Sequence, residues 1–142
     1  MNRIAVIYWS GTGNTEKMAE AILSGAKNAG AEAELFSVSS ISTAAALGYD
    51  VLALGCPAMG GEVLEEAEFE PWFTELESSL GGKKVALFGS YGWGDGQWMR
   101  DWHERSKAAG ANLLDEGLMA NETPDAAALA ECDAWGAKLA NF

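Results

Sequence analysis

Short apolar runs alternate with segments of helical periodicity along the whole chain. The first, third and fourth runs are almost wholly apolar, which is typical of parallel strands covered on both faces. Predicted strands occupy Arg3–Trp9, Glu32–Val38, Asp50–Cys56, Lys83–Gly89 and Asn112–Met119. The pattern therefore predicts an α/β fold built around a parallel sheet of five strands.

Helical patterns fill the stretches between these strands. Thr15–Asn28 places Met18, Ile22 and Ala26 on one face and ends at Gly30. The other predicted helices are Glu65–Leu80, Gln97–Ala109, a short one within Ser39–Leu47, and a last helix with Thr123 as N-cap and Pro124 at its first position. Right-handed crossovers turn this alternation into a doubly wound sheet with helices on both faces, in a single domain over residues 1–142.

Three glycine-rich loops follow the first, third and fourth predicted strands. They are Ser10–Thr15, Ala58–Glu62 and Ser90–Gly96, called here the first, second and third loops. In doubly wound sheets, ligands bind beyond the carboxyl ends of the strands. All three loops lie at that end, so the sequence predicts one ligand site between them.

The first loop joins a strand to a helix N-terminus, where free backbone N–H groups and the helix dipole attract anions. Its glycines allow close approach, and its polar side chains add uncharged donors. It lacks the Gly-Lys-Ser/Thr ending of a Walker motif. The candidate phosphate-binding residues are Ser10, Gly11, Thr12, Gly13, Asn14 and Thr15.

The second and third loops carry the features that a planar heterocycle needs. Gly60 and Gly61 form a turn whose central peptide can flip, and Glu62 offers a carboxylate to a heterocyclic N–H. Trp93 stands among glycines, where an aromatic ring is available for stacking. The other candidate residues of these loops are Ala58, Met59, Ser90, Tyr91, Gly92, Gly94 and Asp95. Together the loops predict a site for a flat heterocycle with a phosphate tail.

The chain is strongly acidic, with a formal net charge of −12 over 142 residues. This charge argues against nucleic acid, whose phosphates require Lys and Arg, and favours a partner with a basic surface. No apolar run approaches the roughly 20 residues of a membrane helix, and no leader is evident, so we expect a cytoplasmic monomer. Cys56 and Cys132 match no metal or redox spacing and are expected to be inert, buried thiols.

Three segments resemble the short-chain flavodoxins: Tyr8–Glu20, Gly55–Trp72 and Val85–Trp102. The resemblance spans essentially the whole chain. It implies a flavodoxin-like sheet of strand order 2-1-3-4-5, bound flavin mononucleotide (FMN), and electron transfer between redox proteins rather than enzymatic catalysis. The implied role is that of a low-potential carrier that shuttles between the semiquinone and the hydroquinone.

The resemblance also implies roles for individual residues. The first loop would hold the phosphate, Met59 and Trp93 would cover the two flavin faces, and Glu62 would accept a hydrogen bond from N3–H. The Gly60 carbonyl would meet N5–H after the turn flips. Along the pyrimidine edge it implies the backbone of Gly92, Gly94 and Asp95, and on the ribityl side Ser90 and Asn121.

Gly61 departs from relatives that carry Asp, Asn or Ser at this position. Glycine removes the Cβ penalty for a positive φ and favours a type II turn, the form expected with oxidised flavin. We expect this to weaken stabilisation of the semiquinone by at most about 1 kcal/mol.

Other interpretations compete with that of a carrier. A small FMN-dependent NAD(P)H or quinone reductase shares the fold but needs a substrate pocket, which inserted loops usually provide. A phospho-receiver domain needs an acceptor Asp after the third strand, where the chain has Cys56-Pro57. His103, the single histidine, is expected to be structural. The glutamates of residues 65–70 predict a solvated helix face, with a docking patch as the alternative, and Trp9 stays open between packing and shielding the ribityl chain.

Overall fold

The computed structural model describes residues 2–142. One sheet runs through it, with all pairings parallel and the order β2-β1-β3-β4-β5, as predicted. The fifth position is shared by two short strands, β5 and β6, both paired with β4. The strands are β1 (Arg3–Tyr8), β2 (Glu32–Ser37), β3 (Val51–Gly55), β4 (Lys84–Tyr91), β5 (Asn112–Leu113) and β6 (Leu118–Asn121).

The helices cover both faces of the sheet. They are α1 (Asn14–Asn28), α2 (Thr43–Ala46), α3 (Phe69–Glu77), α4 (Gln97–Ala108) and α5 (Ala126–Ala140), with a 3₁₀ turn at Val38–Ser40. Alternate residues of β1 enter different core clusters, Ile4 and Val6 one cluster and Ala5 and Ile7 the other. None of the helices described within residues 2–142 combines the length and apolarity needed to cross a bilayer.

Each core cluster belongs to one pair of long helices. Helices α1 and α5 cover the cluster of Ile4 and Val6, and their backbones come so close that a Cβ on Gly25 would lie 1.9 Å from the Asp133 carbonyl oxygen. Helices α3 and α4 cover the other cluster through large aromatic side chains. Of the tryptophans expected to pack, Trp98, Trp102 and Trp135 are buried and Trp72 is half-buried.

The structure corrects the prediction of one continuous last strand over Asn112–Met119. Residues 114–117 leave the sheet between β5 and β6. Asp115 takes a φ of 51°, in the left-handed region that Asp tolerates better than most residues. The polar sequence Asp115-Glu116-Gly117 therefore acts as a turn within the strand.

Two helix starts also differ from the predictions. Helix α5 begins at Ala126, because the Asp125 carboxylate, rather than Thr123, caps it by accepting a 2.8 Å hydrogen bond from the Ala128 N–H. Helix α3 begins at Phe69 instead of Glu65. Glu65 is buried in the turn before α3, so the expectation of a solvated helix face was wrong for this residue.

Candidate functional site

A cleft of about 470 Å³ opens at the carboxyl end of the sheet. Its size suits a small ligand or cofactor. It is lined by Trp9, Gly11, Thr12, Asn14, Pro57, Ala58, Met59, Ser90, Tyr91, Gly92, Glu122 and Thr123. Residues from all three loops thus meet at one cleft, and none of these lining residues is Lys or Arg.

Side chains of the first loop hold its own backbone in shape. The Ser10 Oγ accepts hydrogen bonds from the N–H groups of Gly13 at 3.1 Å and Glu16 at 3.4 Å. The Thr12 Oγ1 accepts one from the Asn14 N–H at 3.3 Å. Gly13 has a φ of 92°, which a residue with a Cβ rarely adopts. The loop is therefore fixed by local bonds before any ligand binds.

Four backbone N–H groups at this loop have no acceptor within the described part of the chain. They belong to Ser10, Gly11, Thr12 and Thr15, at or just before the N-terminus of α1. Free N–H groups at a helix N-terminus form an anion site without any positive side chain. Their position beside the cleft matches the requirements of a phosphate.

Thr15 and Ser90 tie the first loop to β4. Thr15 is 1% exposed, and its Oγ1 lies 3.0 Å from the Ser90 Oγ and accepts from the Ser90 N–H at 3.3 Å. Ser90 and Tyr91 are the last residues of β4 rather than loop residues. The third loop proper therefore begins at Gly92.

The second loop forms a tight turn over Met59–Glu62. The Glu62 N–H donates to the Met59 carbonyl at 2.9 Å, and the Met59 N–H donates to the Val63 carbonyl at 2.9 Å. Gly61, the third residue of the turn, has a φ of 78°, the value required there by a type II turn. Glu62 itself has a φ of 53°. The turn thus has the form that glycine at position 61 favours.

The Glu62 carboxylate joins the second loop to the third. Its Oε1 accepts a 3.1 Å hydrogen bond from the Gln97 N–H, at the N-terminus of α4. Gly94 passes so close that a Cβ there would lie 2.6 Å from the same oxygen. The helix N-terminus favours the negative charge of Glu62, and Oε2 stays available for another donor.

The third loop exposes its tryptophan. Trp93 is 55% exposed, and the other two exposed large hydrophobic residues of the described chain are Val63 and Met119. Asp95 is held by Arg100, whose guanidinium lies 2.9 Å from its Oδ1. An indole on a glycine loop beside the cleft is available to cover a flat ligand.

Four residues that line the cleft were not among the predicted binding residues. Trp9 and Pro57 flank the first and second loops, and Glu122 and Thr123 follow β6. Ligands in such sheets bind beyond the carboxyl ends of the strands. Applied to the last strand as well as to the first, third and fourth, this rule could have identified Glu122 and Thr123. Asn121 is exposed at the end of β6 and does not line the cleft, so its contact with a ligand stays a prediction.

The two cysteines and the histidine, which could carry other chemistry, do not line the cleft. Burial raises the pKa of the Cys56 thiol to about 12, and Cys132 is buried as well, as expected of inert thiols. His103 is half-buried on α4. Within residues 2–142, no cluster of His, Cys, Asp and Glu is suited to hold a metal ion.

The chain is similar to known proteins over nearly its whole length. The family model described as Flavodoxin matches residues 6–136. A flavodoxin from Clostridium beijerinckii is 50% identical over 137 residues, 96% of this chain and 99% of that protein. A flavodoxin from Megasphaera elsdenii is 48% identical over 122 residues, 86% of this chain and 88% of that protein.

A solved structure agrees with these relatives. The solution structure of two-electron reduced Megasphaera elsdenii flavodoxin superposes with a TM-score of 0.83 at 46% identity. The match covers 95% of this chain and 98% of that one. Sequence and fold thus point to the same set of proteins.

Proposed function

The chain belongs to the flavodoxin family, and from that premise we propose that its three loops hold FMN at the carboxyl end of the sheet. Flavodoxins are FMN-binding electron-transfer proteins rather than enzymes, which confirms the function and the cofactor expected from the sequence. A quinone reductase is not favoured, because the similar proteins are named as flavodoxins over nearly their whole length.

The observation that carries the proposed site is the uncharged anion cradle of the first loop. The free N–H groups of Gly11, Thr12 and Thr15 would hold the phosphate, with the side chains of Thr12 and Asn14 beside them. Ser10 and Gly13 shape the loop through their own hydrogen bond. A phosphate bound by neutral groups keeps its full charge, which suits a cleft with no cation in its lining.

The second and third loops would hold the isoalloxazine ring. Met59 and Trp93 would pack on its two faces, and the free Oε2 of Glu62 would accept from its N3–H. Ala58, Ser90, Tyr91 and Gly92 line the cleft and would add contacts, together with Glu122 and Thr123. Gly60, Gly61, Gly94 and Asp95, which do not line the cleft, would complete the contacts from the second and third loops. When bound, FMN supplies the ability to accept and release electrons one at a time.

The charge of the cleft bears on the potential at which the bound flavin would be reduced. Negative charge added on reduction meets no Lys or Arg among the lining residues, while Glu122 contributes a further negative charge. Because added negative charge is disfavoured there, we propose that the second electron enters at low potential. This supports a role as a strong one-electron donor.

The family role implies redox partners, and the chain's charge indicates which kind. The chain carries a net charge of −12, and a basic protein surface complements such a field. We propose one FMN-binding domain over residues 1–142, acting as a monomer. The cytoplasm stays the proposed location.

Replacing Asn14 with Asp tests the cradle. A carboxylate there faces the phosphate, and it also suits the helix N-terminus, so the FMN-free protein should keep its stability. We expect N14D to weaken FMN binding, followed by quenching of flavin fluorescence, by about tenfold or more through like-charge repulsion. Asn28→Asp adds the same charge at the exposed far end of α1 and serves as the control.

Riboflavin, which lacks the phosphate, makes this experiment specific. N14D should bind riboflavin as the wild type does, because only the phosphate meets the new charge. If N14D and N28D bind FMN equally well, the phosphate does not lie in the first loop. A wild-type chain that quenches no FMN fluorescence would overturn the proposed function itself.

A further inference from the structure

Glu65 is a buried carboxylate, 6% exposed, in the turn between the second loop and α3. Its Oε1 accepts hydrogen bonds from the N–H groups of Glu68 at 2.8 Å and Phe69 at 2.9 Å. Its Oε2 accepts from the Ala67 N–H at 2.8 Å. One side chain thus binds three successive backbone donors at the start of α3.

The backbone of Glu65 is fixed as well. Its N–H donates to the Cys56 Sγ at 3.4 Å, and its carbonyl accepts from the Glu70 N–H at 2.8 Å. Cys56 directly follows β3, so this contact brings the two ends of residues 57–64 together. The segment that contains the second loop is therefore closed at Glu65.

Few other bonds hold this segment to the rest of the chain. The Ala58 N–H donates to the Ser90 carbonyl at 3.0 Å, and the Glu62 carboxylate reaches the Gln97 N–H. The remaining backbone bonds of the turn, between Met59 and Glu62 or Val63, lie within the segment. Apart from Leu64, which is buried in the core, these two bonds and the closure at Glu65 hold the turn in position relative to the cleft.

We propose that Glu65 is a positioning residue for the cofactor: its carboxylate anchors the second loop to α3 and so holds Met59 and Glu62 where the flavin ring binds. This inference rests on the proposed function, since it assigns the ring to that loop. Glu65 does not line the cleft, so it acts through the loop and not by contact.

The protonation state of Glu65 agrees with this role. Burial alone would raise the pKa of its carboxyl group, but the donors of Phe69, Glu68 and Ala67 outweigh burial and lower it. Cys56, a neutral thiol, contacts the Glu65 N–H through its Sγ, and Glu70, whose N–H donates to the Glu65 carbonyl, has its carboxylate paired with Arg105. The carboxylate is therefore charged at neutral pH and binds its three donors.

A simpler role for Glu65 would be that of a helix cap that stabilises the fold. Asp125 provides the matched case, because its carboxylate caps α5 through the Ala128 N–H at 2.8 Å. Helix α5 packs on α1, on the other face of the sheet from α3. Replacing either carboxylate with its amide removes a negative charge from a helix N-terminus, but only Glu65 is joined to the second loop.

The test compares Glu65→Gln with Asp125→Asn and with Glu66→Gln, an exposed neighbour. FMN affinity is measured by fluorescence quenching, and thermal unfolding is measured on the FMN-free proteins. We expect E65Q to weaken FMN binding by about tenfold, on the scale of hydrogen bonds to a charged group. D125N and E66Q should change the affinity less than about twofold, whatever they do to stability.

Hydrogen exchange on the FMN-free proteins gives a second readout. The Met59 and Glu62 N–H groups are bonded within the turn and report its order. We expect E65Q to speed their exchange while D125N leaves it unchanged. Glu65→Asp keeps the charge and should recover part of both properties, and it replaces E65Q in every comparison if that variant does not fold.

The outcomes separate the two levels of the hypothesis. Wild-type affinity and wild-type exchange in E65Q would overturn the positioning role and leave the proposed function intact. Equal loss of affinity in E65Q and D125N would also overturn it, since the effect would then come from general stability. Failure of the wild type to bind FMN would remove the proposed function, and the exchange rates would still decide whether Glu65 orders the loop.

Discussion

The first and second loops line the same cleft but are held in place by different means. Ser10 and Thr12 bond to backbone groups a few residues away, and the first loop leads directly into α1. The second loop is held from outside, through Glu65 and through the contact of Glu62 with α4. Apart from the contact of Thr15 with Ser90, the phosphate cradle is thus built within one short segment, whereas the ring site draws on several distant ones.

The largest expected effect comes from disturbing the support beneath the first loop. Gly25→Ala would place a Cβ 1.9 Å from the Asp133 carbonyl oxygen, so α1 and α5 must separate. We expect a loss of about 3 kcal/mol in unfolding free energy, the upper range for overpacked sites. Denaturant unfolding of the FMN-free protein measures it.

Gly60→Ala is the matched change in the second loop. Nothing lies within 4 Å of a Cβ at this exposed position, and its φ is not in the left-handed region. We expect no loss of stability there, and up to about 1 kcal/mol of gain from reduced chain entropy. Equal destabilisation by the two variants would contradict the contrast between the closely packed helix that follows the first loop and the open second loop.

A change in pH is expected to have an intermediate effect on the unfolding free energy. It acts through Glu65, which closes the segment of the second loop. The folded pKa of Glu65 lies below its ordinary value of 4.5, so the stability it contributes is fully present above that value. That stability is lost as the pH falls through the folded pKa. The difference in unfolding free energy between wild type and E65Q should therefore be greatest near neutral pH and shrink in acid.

The unfolding free energy of E66Q, measured over the same pH range, provides the control. Glu70, whose pKa Arg105 lowers, titrates in the same way in wild type and variant and cancels from the difference. A difference between wild type and E65Q that stays constant from neutral to acid pH would mean that the charge of Glu65 contributes nothing.

The smallest expected effect comes from a substitution within the Met59–Glu62 turn. Gly61→Asp places a Cβ at a φ of 78°, which disfavours the observed turn by about 1 kcal/mol. Because the substitution disfavours the observed turn relative to the flipped one, the midpoint potentials of the two one-electron steps should move relative to each other. Potentiometric titration of the FMN-loaded variant measures this shift, with Gly60→Ala alongside. Unchanged potentials in G61D would refute the idea that residue 61 sets the turn preference.

The contrast between local bonds and contacts of distant segments also decides how much of the structure could be predicted from the sequence. The positions of the first four strands and the first loop follow from local patterns, because apolar runs, glycines and capping residues act over a few residues. The family resemblance supplied the strand order, which the structure confirms. Phe69 and Phe73 face the core at the spacing that the helical pattern predicts.

What the sequence did not show depends on contacts between distant segments. Glu65 looks like one glutamate in an acidic helix face until α3 is seen to begin four residues later. The Glu62 contact joins residues 35 positions apart, and no periodicity records it. Asp125 and Thr123 are both acceptable caps, and only the path of the chain after β6 selects Asp125.

The gap between β5 and β6 makes the edge of the sheet tolerant of changes in length. Each short strand keeps its own register with β4, Lys84 opposite Asn112 in one and Phe88 opposite Leu118 in the other. Residues added between the exposed Asp115 and Glu116 would bulge outward, and doubling a loop's length costs only about 0.6 kcal/mol in closure entropy. This point is therefore a natural place to graft a peptide or to join a second protein.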